Sequence, residues 1–366
     1  MVLHAGDAFT CDGGRRGADA HALVPGDDGQ TRRKQEALAY LNEHPYSPPW
    51  WLRGGHVQTV WGPFLRRKTA PPRRKETWDT PDGDFLNIHI TEGHPRRPTV
   101  LLLHGLEGSA FSHYILGLTW RFHALGWTTA TMEYRGCGGV MNRAFRLYHS
   151  GETGDPEFVV HELIKRYPGR PLFLAGASLG GNIIAKWFGE QGGALPAEVH
   201  AGAAISPPFD LTVSARRVDT MLGGAYARWF MRSMAPKALE KERQFPGNLD
   251  REAVSRCKTF AEFDTHVTAV LHGFRDAEDY WIKSGCGPFL PGVRRPLLLI
   301  AAEDDPMNPG ETLPRKTADA SPWLHPLFTK RGGHVGFVHG HSPFHTRHWA
   351  EEQVVRFLSY YADRAG

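Results

Sequence analysis

Residues 171–191 read PLFLAGASLGGNIIAKWFGEQ, and this run decides the fold. Its first part, PLFLAGAS (171–178), is apolar without alternation, the pattern of a strand covered on both faces. The part that follows, NIIAKWFGE, has helical length. Between them Gly176-Ala177-Ser178-Leu179-Gly180 spells G-x-S-x-G at a strand-to-helix turn, the context in which that pentapeptide carries meaning. A serine on so sharp a turn projects its hydroxyl at the carboxyl edge of a sheet, and flanking glycines are needed because a Cβ would collide with neighbouring backbone. Ser178 also stands at the positive end of a helix, where the Leu179 N–H can meet developing negative charge. A small residue in an ordinary tight turn is the bland alternative, and the strand before it and helix after it weigh against that.

Working outward, KETWDTPDGDFLNIHI (75–90) reads as two strands around a Pro-Asp-Gly turn. Further strand runs are TVLLLHG (99–105), WTTATMEY (127–134), VHAGAAIS (199–206), PLLLIAAEDD (296–305) and LHPLFTKRGG (324–333). Segments 111–125, 154–167 and 182–191 have helical length. Repeated βα units with right-handed crossovers imply an α/β fold with a mostly parallel, eight-stranded, doubly wound sheet. Between the strands at 199–206 and 296–305, residues about 207–292 scatter Trp, Phe, Met and Tyr without a strong strand run, so a helical cap insertion is expected there. A terminal helix over 346–362 places Trp349, Val354, Phe357, Leu358 and Tyr361 on one side and should dock on the sheet.

A serine hydroxyl is a poor nucleophile until a base takes its proton, so a histidine and an orienting carboxylate should follow in the order Ser, Asp, His. LLLIAAEDDPMNP ends a buried strand with Glu303, Asp304 and Asp305. Asp305 opens D-P-M-N-P, a D-x-x-x-P form, and is the candidate acid; Asp304 would cap or turn the loop. TKRGGHVGF places His334 after two glycines, which permit a loop to bring an imidazole back over the serine. For the oxyanion, His104-Gly105-Leu106-Glu107-Gly108 follows TVLLL, and the Leu106 N–H would pair with that of Leu179. His104 itself is read as a brace for that loop. Cys137, in YRGCGG, follows a different strand and is read as a buried or loop thiol. The segment 142–155 and its Asp155-Pro156 helix start are read as structural. HGHSPFHTRH (339–348) lacks a supporting carboxylate or cysteine, so no metal is expected, and the chemistry requires no cofactor.

The chain has 366 residues, 41% hydrophobic and 22% charged, which is enough apolar material for a sizeable core. Forty-three Lys plus Arg against 39 Asp plus Glu leaves a mild, dispersed excess of positive charge, which argues against a nucleic-acid partner. No run reaches the 18 or more apolar residues that would cross a bilayer, and the opening MVLHAGDAFTCDGG lacks a signal-peptide pattern. A cytoplasmic protein is therefore expected. Cys11, Cys137, Cys257 and Cys286 are widely spaced and form no CxxC pair, so reduced thiols are the default. Residues 1–38 show little apolar periodicity and are expected to be a disordered tail, with the folded domain over 39–366. YSPPWWLRGGHVQTVWGPF (46–64) carries three tryptophans and is expected to be ordered, covering the core rather than closing an acyl pocket. RRKTAPPRRK (66–75) reads as a solvated connecting face, with contact to an anionic headgroup or acidic substrate as the alternative.

With these motifs in place, GGHVQTVWGPF, HGLEGSAFSHYI, YRGCGG, RLYHSGETGD, GASLGGN, AEDDP and GGHVGF, in that order over about 40–360, resemble the YheT-type branch of the α/β-hydrolases. The resemblance implies an α/β-hydrolase fold with Ser178 as nucleophile, Asp305 as acid and His334 as base. It also implies a cap over the site and acyl-ester or lipid substrates, medium-chain esters among them. Eukaryotic members of that branch begin with a membrane anchor and no such segment is read here, so any membrane contact would be peripheral. The expected activity is that of a serine carboxylic ester hydrolase working through an acyl-enzyme on a small-molecule acyl ester. Two rivals are an acyltransferase passing the acyl group to an alcohol at the same site, and a non-catalytic binding module.

Overall fold

Alternation along the strands sorts the core onto two faces of one sheet. The computed structural model describes residues 28–66 and 69–364. The strands are β1 (Arg74–Asp79), β2 (Phe85–Thr91), β3 (Thr99–Leu103), β4 (Thr128–Glu133), β5 (Leu172–Ala177), β6 (Val199–Ile205), β7 (Leu297–Ala302) and β8 (Leu324–Thr329). They lie in the order β1-β2-β4-β3-β5-β6-β7-β8. β2 is antiparallel to both β1 and β4, and every pair from β4 to β8 is parallel. The eight-stranded, mostly parallel, doubly wound sheet expected from the apolar runs is therefore the fold.

Because successive side chains point to opposite faces, Val100 and Leu102 pack with one set of helices while Leu101 and Leu103 pack with the other. The first face carries α1 (Asp28–Asn42), α2 (Gly55–Leu65) at its margin, and α3 (His113–Ala124). The second carries α4 (Gly154–Arg166) and α5 (Leu179–Gln191), whose Ile183, Ile184, Trp187 and Phe188 are buried.

Between β6 and β7 the chain leaves the sheet. It forms α6 (Leu211–Thr220), α7 (Ala225–Gln244), α8 (Arg251–Arg256), α9 (Phe260–Phe263), a π-helical turn (Asp264–Thr268), α10 (Ala269–His272) and α11 (Ala277–Ser284). These helices have an apolar centre of their own, including Phe230, Met231, Val254, Phe263 and Trp281. After β7, α12 (Arg315–Ala320) covers the second face. HGHSPFHTRH forms a hairpin of β9 (Val338–Ser342) and β10 (His345–His348), which delays the start of α13 (Trp349–Ala362) past the expected 346.

The tail expected over 1–38 needs correction at its end. Residues 28–38 belong to α1, and residues 1–27 lie outside the described residues. Docking offsets the ordering entropy that composition alone could not. Ala37 and Leu41 are buried, Lys34 Nζ donates to the carbonyls of Ala318 and Ser321 at 2.7 Å each, and Gln353 Nε2 donates to the His44 carbonyl at 2.8 Å. The basic stretch is likewise anchored: Arg66 is ion-paired with Glu351, and Arg73 donates to the Ala110 carbonyl at 2.9 Å. Arg67 and Lys68 lie outside the described residues.

Candidate active site

Ser178 sits between β5 and α5 with φ 55° and ψ −122°, a conformation costing about 1–3 kcal/mol for a residue with a side chain. Surrounding bonds hold it there: its N–H donates to the Ile205 carbonyl at 2.7 Å, and its carbonyl accepts from Asn182 N–H at 2.9 Å. A Cβ on Gly180 would lie 2.4 Å from the Leu103 carbonyl oxygen, so the second glycine of the motif lets α5 start hard against β3.

His334 Nε2 stands 2.8 Å from Ser178 Oγ, and His334 Nδ1 stands 2.8 Å from Asp305 Oδ2. An ionised carboxylate only accepts, so Nδ1 carries the proton and Nε2 offers its lone pair to the serine hydroxyl. The other oxygen of Asp305 accepts the N–H groups of Met307 and Asn308 at 2.8 and 3.0 Å. Asp304 instead accepts the Gly333 N–H at 2.9 Å, and burial raises its carboxyl pKa above the usual value. The two neighbouring carboxylates thus divide the work of orienting the ring and tying its loop.

Residues not singled out by the sequence reading hold this arrangement. Thr59 of α2 accepts the His334 N–H at 2.9 Å while donating to the Gly55 carbonyl at 2.8 Å. Gln58 accepts the Val338 N–H at 2.8 Å. Asn308 Nδ2 donates to the Ser206 carbonyl at 2.9 Å and packs beside the imidazole. These partners come from segments far apart in sequence, and the Gly-Gly-His-Val-Gln-Thr stretch was the one signal that could have pointed to α2.

The loop after β3 approaches Ser178 so closely that a Cβ on Gly105 would lie 3.2 Å from Ser178 Cβ. The Gly105 N–H donates to Tyr114 Oη at 2.7 Å and the Glu107 N–H to Tyr148 Oη at 2.9 Å. The intervening Leu106 N–H has no acceptor among the described residues, and neither has the Leu179 N–H at the first position of α5. Two free amides therefore flank the serine, an arrangement able to bind a developing oxyanion. His104 braces this loop. Its Nδ1–H donates to the Gly105 carbonyl at 2.8 Å, and burial pushes its pKa down to about 4, so it is a neutral ring. Burial also pushes the Cys137 thiol up to about 12, leaving it protonated and non-nucleophilic.

Above the serine lies a cavity of about 640 Å³, floored by Ser178, His334, Leu106 and Leu179. Its walls are mostly apolar and come from the helices between β6 and β7, among them Val218, Phe230, Met234, Phe263 and Trp281. Thr59, Pro63 and Phe64 of α2 also line it. The Trp-rich segment was expected to cover the core and not close the pocket; it does both, because α2 runs from the histidine loop along the cavity. One wall carries a buried carboxyl, Asp264, which accepts from Thr268 Oγ1 and Trp281 Nε1 at 2.7 Å each and is pushed up to about 7 by burial.

Comparison with known proteins identifies the family of the chain. A family model described as serine aminopeptidase, S33 matches residues 94–276. The putative esterase YheT of Escherichia coli (strain K12) is 32% identical, over 84% of this chain and 91% of its own length. The phospholipase ABHD3 of Mus musculus is 28% identical, over 93% of this chain and 84% of its own length. Among solved structures, the Pyrococcus furiosus esterase Pf2001 aligns with a TM-score of 0.53 at 16% identity, covering 80% of this chain and 93% of that one, a likeness of fold. The chain belongs to the α/β-hydrolase family of esterase- and lipase-like serine hydrolases. Its place within that family is the YheT-type branch.

Proposed function

We propose that this protein hydrolyses carboxylic esters of lipid-like or medium-chain acids through an acyl-enzyme, with Ser178 as nucleophile, His334 as general base and acid, and Asp305 as the orienting carboxylate. The observation that carries the reading is the continuous hydrogen-bonded chain Ser178–His334–Asp305 at the floor of an apolar cavity, beside two unengaged amides.

In the acylation step Ser178 Oγ attacks the ester carbonyl carbon while its proton passes to His334 Nε2. Asp305 stabilises the imidazolium, and the Leu106 and Leu179 N–H groups bind the oxygen that takes the negative charge. Collapse of this intermediate breaks the bond to the alcohol oxygen, which leaves with the proton from His334. Water then attacks the acyl-enzyme by the same route and frees the acid and Ser178. Each of these steps uses only groups of the chain, substrate and water.

Lipid-like substrates are supported by the apolar walls and by the mouth of the cavity. Phe64 of α2, Phe111 of the loop before α3 and Trp229 of α7 line it while 74%, 54% and 55% exposed. Such a rim suits peripheral contact with a lipid aggregate; among the described residues no helix is long and apolar enough to cross a membrane. The phospholipase name of the mouse relative points the same way. The test is a panel of p-nitrophenyl esters from acetate to dodecanoate, with wild type and Ser178→Ala. Wild type should prefer the middle of the series, and the variant should lose turnover and fluorophosphonate labelling with an unchanged circular dichroism spectrum. Full turnover in Ser178→Ala rejects the assignment.

A further inference from the structure

The turn that presents Leu106 contains a conformational anomaly. Gly108 N–H donates to the Gly105 carbonyl at 3.0 Å, closing a four-residue turn, and Glu107 occupies its third position with φ 54°. Turns with positive φ at that position normally use glycine or asparagine there. A glutamate needs a reason, and its carboxylate supplies one. Glu107 Oε1 accepts from Tyr148 Oη and from Lys237 Nζ, each at 2.8 Å, while the Glu107 N–H donates back to Tyr148 Oη at 2.9 Å. The pair is largely shielded, with the Glu107 side chain 6% and the Lys237 side chain 23% exposed; Cys137 Sγ lies 3.6 Å from the ammonium.

Lys237 does not belong to the sheet. It lies on α7, the long helix that also supplies Phe230 and Met234 to the cavity wall, and all three residues line the cavity. One helix therefore touches both the space an acyl chain would fill and the carboxylate next to the Leu106 amide.

We propose that Lys237 is a positioning residue: by gripping Glu107 it holds the Leu106 N–H at the oxyanion site, so that oxyanion binding depends on α7 being seated over the cavity. The inference rests on the acyl-transfer reading above and assigns Lys237 no proton transfer and no contact with the reacting atoms. Its effect falls on the transition state, where the oxyanion exists, and not on binding of the neutral ester.

The experiment is a kinetic comparison of wild type, Lys237→Met, Lys237→Arg, Glu107→Gln and the Lys237→Met/Glu107→Gln double variant on p-nitrophenyl octanoate, with thermal unfolding of each. Lys237→Met should lower kcat by about 10- to 100-fold with KM within twofold, less than outright removal of an oxyanion donor. Lys237→Arg should recover most of the loss. The double variant should be no worse than the poorer single one, because both substitutions break the same contact. If Lys237→Met does not fold, Glu107→Gln alone carries the test, since it keeps the Tyr148 contact and weakens the grip of Lys237. Wild-type kcat in the folded Lys237→Met variant, or in Glu107→Gln, or multiplicative losses in the double variant, overturn the proposal. Ser178→Ala assayed alongside separates the two levels: its inactivity with an unaffected Lys237→Met defeats the clamp alone, and its persistent activity defeats the reading beneath and the clamp with it.

Discussion

Replacing Thr59 by valine would remove one hydroxyl and little volume, and it tests whether α2 is part of the catalytic unit. Thr59 Oγ1 is the acceptor for the His334 N–H at 2.9 Å. The residues that follow in that loop, Val335 and Phe337, sit at φ 58° and 43°, so the loop is strained and depends on its anchors. Stranding a buried donor costs about 1–3 kcal/mol; Thr59 is only half-buried, which places the loss nearer 1–2 kcal/mol. If that free energy is drawn from the docked position of the imidazole, kcat/KM on a p-nitrophenyl ester should fall roughly 5- to 30-fold. The melting temperature should move little, by roughly 1–2 °C for each 1 kcal/mol lost, given a chain of 366 residues. Thr59→Ser, which keeps the oxygen, should stay near wild type. Steady-state kinetics on the three proteins, with thermal melts alongside, decides it. A Thr59→Val enzyme with unaltered kcat/KM would refute the idea that α2 positions His334.

Further expectations follow from buried charge. His104 is neutral down to about pH 4 in the native state, whereas an unfolded histidine takes its proton near 6.5. The unfolded chain gains that proton first, so stability should drain away as pH falls from about 6.5 to 4, by about 3 kcal/mol at most. Urea unfolding of His104→Asn at pH 7 and pH 4.5 should show a shallower loss than wild type; equal slopes would rule the effect out. Asp264 has the opposite sign. Its native carboxyl keeps a proton to about pH 7 while the unfolded one releases it near 3.8, so its stabilisation is present at low pH and lost as pH rises through 7. Asp264→Asn should therefore gain on wild type between pH 5 and pH 8, by at most about 3 kcal/mol, and a constant difference across that range counts against the reading. Arg135 donates to Asp82, Asp84 and Asp155 within 2.7–2.8 Å, and Arg135→Met would remove the cation that directly hydrogen-bonds the buried carboxylates of Asp84 and Asp155. A loss of about 3–5 kcal/mol is expected by denaturant titration, and a loss below 1 kcal/mol would show that the network is not needed for stability.

What could be read in advance is what is encoded locally. β3, β5 and β7 are short apolar runs buried on both faces, and such runs announce themselves without any partner in view. Ser178, Asp305 and His334 each stand at the end of a strand run, beside glycines or a proline, so they could be singled out separately before the hydrogen bonds between them were visible. Thr59 could not, because its role consists of one bond to a residue 275 positions away. The same holds for Lys237, whose partner lies 130 positions back, and for Asn308, which looks like one more polar residue in a Pro-rich turn. Helix α1 was missed for a related reason. Its composition is too polar to suggest order, and its stability comes from docking, including α13 side chains that donate to carbonyls at and just beyond its far end.

The mouth of the cavity shows why substrate preference lies beyond a sequence reading even when the chemistry does not. It is framed by α2, which precedes the sheet, and by α7, which interrupts it between β6 and β7. His56 Nδ1 and Tyr226 Oη, one from each helix, lie 3.4 Å apart. Neither helix carries a catalytic signature, yet under the proposed function the distance between them would set how wide an ester can enter and how far its chain reaches past Phe230 and Met234. A single methylene in such a pocket is worth about 1–3 kcal/mol of discrimination, so side-chain swaps that leave the apolar pattern of α7 intact can change the preferred acyl length. Met234→Trp should therefore shift the optimum of the ester panel toward shorter chains while leaving the rate on p-nitrophenyl acetate close to wild type. An unchanged optimum would mean that the acyl chain does not lie along α7.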